Sequence, residues 1–235
     1  MKPEISLVIP CYNEERIIKK TYKRIVDYFK NNRRYRYEII FVDDGSIDNT
    51  PFFLFSLLTK KNVKVVSYKK NKGKGYAVRC GLKKAKFKNI LVLDADLSVD
   101  VSELICSDAL FNLNGKTKLL IVGQRNQIVK QPIHRIFAGF CFRLLVSVLF
   151  SLELKDTQCP YKLFKNWDSS HFGLLKIDGF CYDVEVIMLA RKLGIPIATQ
   201  SVAYYNRRES KVTLKKTLKM FFELLKIKKR YGKNY

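Results

Sequence analysis

The chain has 235 residues, 47% of them hydrophobic, which allows one substantial core and at most two domains; a single globular domain is expected. Lys and Arg total 45 against 21 Asp and Glu, a formal charge of +24 that points to a polyanion: nucleic acid, an anionic membrane surface or phosphate-bearing substrates. Six cysteines (Cys11, Cys80, Cys106, Cys141, Cys159 and Cys181) stand without any CxxC pairing, which excludes a zinc site or a disulfide frame and fits a reducing, cytoplasmic setting.

From the amino terminus, "MKPEISLVIPCYNEE" enters a strand-like run within four residues, so neither a signal peptide nor a spanning helix is expected there. Short apolar runs then alternate with helical patterns, as in a parallel sheet wrapped by helices. Strands are predicted at 5–9, 37–42, 63–68, 89–93 and 119–123, and helices at 14–31, 50–60, 74–86 and 101–112. Ile17, Ile18, Tyr22, Ile25 and Phe29 mark one face of the first helix. Beyond residue 125 the pattern changes. "PIHRIFAGFCFRLLVSVLF" (132–150) carries Arg135 and Arg143, and reads as an amphipathic helix on a membrane or as a core helix. "YKLF" (161–164), a helix near 182–193, a strand within 195–205 and a basic helix from Thr213 to Tyr231 complete the chain. That last helix sets Leu214, Leu218, Phe221, Phe222 and Leu225 among Lys and Arg, a composition suited to anionic lipid.

Ligands of a parallel α/β sheet bind beyond the carboxyl ends of its strands. Here those ends read "PCYNEE", "DDGS", "KKNKGKG", "DADLS" and "QRN". Asp94 and Asp96 flank Ala95, so an extended backbone sends both carboxylates to one side, two hard oxygen ligands for Mg²⁺ or Mn²⁺ when a diphosphate supplies the rest. A lone D-x-D also reads as an acidic loop capping a helix from Val101 through Asp100 or Ser98. Asp43 and Asp44 precede Gly45, with Asn49 or Thr50 at a helix start; an Asp here accepts from a nucleobase or ribose, or simply shapes a turn. Gly73 and Gly75 allow a ligand close to the backbone, without the spacing of a phosphate loop. Arg125, Arg135 and Lys211 are candidates for phosphate oxygens and, equally, surface charges.

In this order, "VIPCYNEE", "VDDGSIDNT", "NKGKGYAVRCG", "DADLS", "GQRN" and "DTQCPYKLF" resemble the family 2 glycosyltransferases of GT-A fold, and among them the dolichyl-phosphate sugar synthases. The resemblance covers nearly the whole chain. It implies an α/β GT-A domain with a mostly parallel central sheet flanked by helices, and an inverting transfer of a sugar from a nucleotide-sugar donor, UDP-glucose, to a polyprenyl (dolichyl) phosphate. It further implies that Pro10, Tyr12, Glu14, Asp44 and Gly73 hold the donor nucleotide, that Asp94 contacts ribose or metal, and that Asp96 binds Mg²⁺ or Mn²⁺. Arg125, Arg135 and Lys211 would share the donor diphosphate and the acceptor phosphate. The chain departs from the pattern at Ser98, where mannosyl relatives carry a Gln metal ligand, at Pro160, where Gly is usual, and in the expected absence of an amino-terminal anchor.

Several negative charges meet in such a site, so a divalent cation and Arg or Lys side chains are required to hold them together. The acceptor phosphate, with a second pKa near roughly 6, needs no strong base. Asp183 and Glu185 in "YDVEV" are the candidate base or acceptor-orienting carboxylates; both also fit as decoration of a helix start. The expected setting is the cytoplasmic face of a membrane, held peripherally. Alternatives within the family are a mannosyl synthase using GDP-mannose and a transferase with a saccharide acceptor. The alternative outside it is a basic nucleic-acid-binding protein, against which stand the carboxylates at the strand ends and the lack of a nucleic-acid motif.

Overall fold

A computed structural model describes residues 2–107, 117–126, 133–152, 154, 156–205 and 214–232; the side chains of 105–107, 133–138 and 214–217 lie outside that description. Seven strands form one sheet: β1 (Glu4–Cys11), β2 (Arg36–Asp43), β3 (Val63–Ser67), β4 (Ile90–Leu93), β5 (Leu119–Arg125), β6 (Tyr161–Lys165) and β7 (Ile197–Val202). Their spatial order is β3-β2-β1-β4-β6-β5-β7. β6 runs antiparallel to both its neighbours, β4 and β5, and the remaining pairs are parallel. The helices are α1 (Ile18–Asn31), α2 (Thr50–Ser56), α3 (Lys74–Lys84), α4 (Ile133–Phe150), α5 (Ser169–Phe172), α6 (Tyr182–Lys192) and α7 (Leu214–Tyr231).

Period-two alternation divides the apolar strand residues between two layers. Leu7, Ile9, Ile39, Phe41, Leu91 and Leu93 face the layer that α1 and α2 complete. Val8, Ile40, Val42, Ile90 and Val92 face the layer built by α3, α4, α6 and α7. The central strands are therefore buried on both sides; most of their polar groups lie where the strands end, and the buried exceptions Ser6, Glu38 and Lys162 are paired, Ser6 with Glu38, Glu38 also with Lys64, and Lys162 with Asp183.

The predicted strands are all present, within two residues at each end, except that the run expected within 195–205 shortens to Ile197–Val202. The helices differ more. The first begins at Ile18, not residue 14, because Asn13 takes a left-handed backbone (φ 54°) and Glu14 turns the chain, its carbonyl accepting from the N–H groups of Ile17 and Ile18. The second ends at Ser56 and runs into a 3₁₀ turn, Leu57–Thr59. The expected helix at 101–112 is a 3₁₀ segment, Val101–Ser107, with 108–116 outside the described residues. The five cysteines described in full are free thiols.

Asp100 opens that 3₁₀ segment. Its carboxylate accepts from the Ser102 N–H at 3.0 Å and pairs with Arg24 of α1. Burial pushes its pKa up, but Arg24 and the Ser102 hydrogen bonds prevail and hold it below the usual carboxylate value. A carboxyl lowered by folding stabilises the protein above its unfolded pKa, about 3.9, and that stability is lost as pH falls through the folded value. Asp100→Asn is therefore expected to lower the midpoint of thermal unfolding at pH 7 and to flatten its decline below about pH 4. An unchanged acid limb in calorimetry would count against this account.

Candidate active site

The chain leaves β1 toward β2 on one side and reaches β4 on the other, so the switch point of the sheet lies between the carboxyl ends of β1 and β4. Two sequence motifs are stitched together beside it. The Asn13 N–H donates to Ser46 Oγ at 3.0 Å, the Ile47 N–H returns a bond to Asn13 Oδ1 at 3.0 Å, and the Glu14 N–H donates to Thr50 Oγ1 at 2.7 Å. Glu15 Oε2 accepts from the backbone and side chain of Asn49. "CYNEE" and "GSIDNT" thus act as one rigid rim, with Pro10 and Tyr12 half-buried in it and Glu14 buried. Asn49 precedes α2 without a side-chain cap; Asp48 instead accepts from the Thr50 N–H at 2.9 Å.

Asp44 is buried at the centre of the next loop. It accepts from Tyr68 Oη at 2.9 Å, Asn71 Nδ2 at 3.0 Å, the Lys72 N–H at 2.8 Å and the Gly73 N–H at 2.9 Å. Burial prevails over these bonds and raises its pKa. The Gly73 backbone has φ 109°, and a Cβ there would clash with the Asp178 carbonyl. The Gly75 and Tyr76 N–H groups at the start of α3 donate to the carbonyls of Gly179 and Asp178, both at 3.1 Å. The glycines thus admit the chain's own 178–179 backbone, where the spacing had suggested close approach of a ligand.

Between those glycines Lys74 reaches across to Asp94, Nζ to Oδ1 at 2.6 Å. Burial lowers its pKa, yet Asp94, Asp183 and Asp96 together hold it above the ordinary lysine value. Asp94 and Asp96 are both half-buried at the end of β4, and both act on Lys74 and on the Tyr204 phenol. Thr21 of α1 donates to the Ala95 carbonyl between them, and the Ser98 N–H donates to Asp96 Oδ1 at 2.8 Å. Leu97 adopts φ 49°, which turns the chain away after the pair. The capping reading of this stretch therefore holds for Asp100; Asp94 and Asp96 lie not on an extended segment, as expected, but on a turn closed by the Leu97 N–H donating to the Asp94 carbonyl at 3.0 Å, beyond the β4 end that borders the switch point.

Charges alternate deeper in the site. Lys162, on β6, is 1% exposed and pairs with Asp183, 4% exposed, at 2.5 Å, while also donating to the Cys159 carbonyl at 2.7 Å. Burial raises the Asp183 pKa despite Lys162 and Lys74. The Tyr182 ring is near both ammonium groups, 5.7 Å from Lys74 Nζ and 6.0 Å from Lys162 Nζ. Glu185, two residues on, faces elsewhere: it accepts from the Lys176 and Ile177 N–H groups and from Arg230 Nη1 at 2.8 Å. Its carboxylate secures the 176–177 loop and α7, which leaves Asp183 as the helix-start carboxylate directed at the site.

Arg125 closes the other flank at the end of β5. Its Nε and Nη2 grip Asp156 at 2.5 and 2.9 Å, and its guanidinium stacks 5.1 Å from the Tyr204 ring. Lys211 and the Arg135 side chain lie outside the described residues. Lys74, Lys162 and Asp156 escaped the sequence reading. A lysine inside an apolar strand, "YKLF", was the available signal for Lys162, because an ammonium on a buried face requires a carboxylate partner. Among the described residues no group of three or more His, Cys, Asp or Glu forms a metal cage, so Asp94 and Asp96 offer a partial set of ligands.

A GT-A sheet with an acidic pair at its switch point, a lysine against that pair and a rigid two-motif rim defines an enzyme of the glycosyltransferase class. The fold is shared with glucosyl-3-phosphoglycerate synthase from Mycobacterium tuberculosis, whose crystal structure in complex with Mn²⁺, uridine diphosphate and glucosyl-3-phosphoglycerate superposes with a TM-score of 0.70 at 17% identity, covering 98% of this chain and 80% of that one. The chain belongs to glycosyl transferase family 2, whose family model matches residues 6–105. It is 32% identical to dolichyl-phosphate beta-glucosyltransferase of Homo sapiens, over 97% of this chain and 76% of that protein. Against the Dictyostelium discoideum protein of the same name, the identity is 30% over 97% of this chain and 74% of the relative.

Proposed function

We propose that this enzyme transfers glucose from UDP-glucose to a dolichyl or related polyprenyl phosphate at an anionic membrane surface, with inversion at the anomeric carbon. The observation that carries this reading is the Asp94-Ala95-Asp96 edge at the switch point, in a chain whose relatives share one named reaction. Pro10, Tyr12, Glu14, Asp44 and Gly73 form the nucleoside end, with Asp44 acting through the loop it holds. Arg125, Arg135 and Lys211 serve the phosphates.

The residues fit a divalent cation. Lys74 already sets a positive charge on Asp94, and two half-exposed carboxylates leave further coordination to a substrate diphosphate. Asp94 and Asp96 would hold Mg²⁺ or Mn²⁺, which neutralises the leaving diphosphate. Lys74, beside Asp94, would supply a further positive charge for donor oxygens. The acceptor phosphate attacks as an oxyanion, with a second pKa near roughly 6. Burial raises the Asp183 pKa, and its carboxylate, held by Lys162, is the candidate group to orient or deprotonate the acceptor phosphate.

No helix among the described residues is long and apolar enough to cross a membrane. Surface attachment is instead supported by two exposed apolar rows: Phe140, Leu144 and Val148 on α4, and Leu218, Phe221, Phe222 and Leu225 on α7. The deciding experiment offers the purified chain dolichyl phosphate with UDP-glucose, UDP-N-acetylglucosamine or GDP-mannose, each with Mn²⁺ or Mg²⁺. A charged glucolipid from UDP-glucose alone is expected. A product only from GDP-mannose would replace the donor, and no lipid product with any donor would sink the reaction.

A further inference from the structure

Away from the carboxylates, a pocket of about 170 Å³ opens between residues 176–178 and α7, lined by Lys72, Lys176, Lys219 and Lys226 with Phe222. Two carboxylates reach it, and both are engaged: Asp178 pairs with Arg79 at 2.5 Å, and Glu223 accepts from the Cys181 N–H at 3.2 Å. Lys72 donates to Tyr76 Oη at 3.0 Å. Lys176, Lys219 and Lys226 have no ion-pair partner among the described residues. Such a concave cluster of ammonium groups attracts an anion: with Asp178 neutralised by Arg79, the four lysines face the single carboxylate of Glu223, an excess of three positive charges.

Lys219, Phe222 and Lys226 recur at i, i+3 and i+7, so one face of α7 carries two ammonium groups with a phenyl ring between them. Leu218, Phe221 and Leu225, all exposed, lie beside that face. Charge and apolar surface thus meet at the mouth of one pocket, an arrangement suited to a headgroup with its tail attached. We infer that this pocket binds the phosphomonoester headgroup of a lipid. A phosphomonoester carries roughly −1.5 to −2 charges and offsets more of the excess than a singly charged diester does. The inference rests on the membrane-bound lipid-phosphate acceptor proposed above, and that acceptor belongs to the same ligand class. The Lys72 backbone N–H, donating to Asp44 at 2.8 Å, joins the pocket to the donor end of the site.

Phosphatidylcholine vesicles doped with phosphatidic acid or with phosphatidylserine, adjusted to equal surface potential, separate a headgroup pocket from diffuse attraction. The full chain is expected to partition about fivefold or more in favour of the monoester. Lys176→Gln/Lys219→Gln/Lys226→Gln is expected to lose that preference while keeping transfer to a detergent-solubilised polyprenyl phosphate. The matched triple Lys60→Gln/Lys61→Gln/Lys83→Gln, on exposed residues elsewhere, should keep the preference. Equal partitioning of the unaltered chain, or a preference that survives in the pocket variant, overturns the inference. Titration with inorganic phosphate separates the sources: weaker binding than to the lipid is expected, and tighter binding would assign the pocket to free phosphate. Absence of transfer in detergent would strike the proposed reaction and leave the vesicle result intact.

Discussion

Asp96→Ala is expected to abolish glycosyl transfer, by at least about a thousandfold, while the fold survives. The side chain is half-buried at the end of β4, and the bond it accepts from the Ser98 N–H stabilises a local turn. Removing it leaves β4 and its neighbours packed, so the far-ultraviolet spectrum and the melting midpoint should change little. What is lost is one of the two carboxylates proposed to hold the cation of the diphosphate, and excess chelator should reproduce the loss in the unaltered protein. Near-normal transfer by the variant would reject the carboxylate pair as the seat of the chemistry. Retained transfer in chelator would reject the divalent cation while leaving the residue in place.

The second large effect concerns Lys162. Its ammonium and the Asp183 carboxylate are both almost completely buried, so removing one partner strands a charge in the interior. Lys162→Met is expected to cost about 3–5 kcal/mol, a fall of roughly 10 °C in the melting midpoint for a chain of this size. Burial already raises the Asp183 pKa, and loss of Lys162 removes the largest opposing influence. A carboxyl whose pKa is raised by folding favours the folded state at low pH, and that contribution is lost as pH rises through the folded pKa. The deficit of Lys162→Met relative to the parent should therefore narrow as pH falls from neutrality. Lys162→Met/Asp183→Leu, which replaces both charges by apolar groups, should recover most of the stability and none of the transfer. Denaturant unfolding of the two variants at two pH values decides it. A single variant as stable as the parent would show that the pair is better hydrated than its burial implies.

The two carboxylates of "YDVEV" illustrate where sequence spacing stops. Asp183 and Glu185 sit two residues apart at the start of α6, and nothing local distinguishes them. Arg230, 45 residues downstream, and the 176–177 backbone claim Glu185, whereas Lys162 of β6 draws Asp183 toward the site. Gly73 and Gly75 show the same limit. Their spacing announces a close approach, but only the folded chain reveals that what approaches is the 178–179 backbone.

By itself the sequence determined the α/β alternation, the burial of the central strands on both faces and the clustering of polar residues at their carboxyl ends. Those properties follow from the hydrophobic period, since a strand buried on both faces keeps most of its polar residues for its ends. Tertiary structure alone decided which charges neutralise one another: Lys74 with Asp94, Lys162 with Asp183, Arg125 with Asp156 and Glu185 with Arg230. An ion pair needs only a few ångströms in space and is indifferent to separation along the chain, so no local period encodes it.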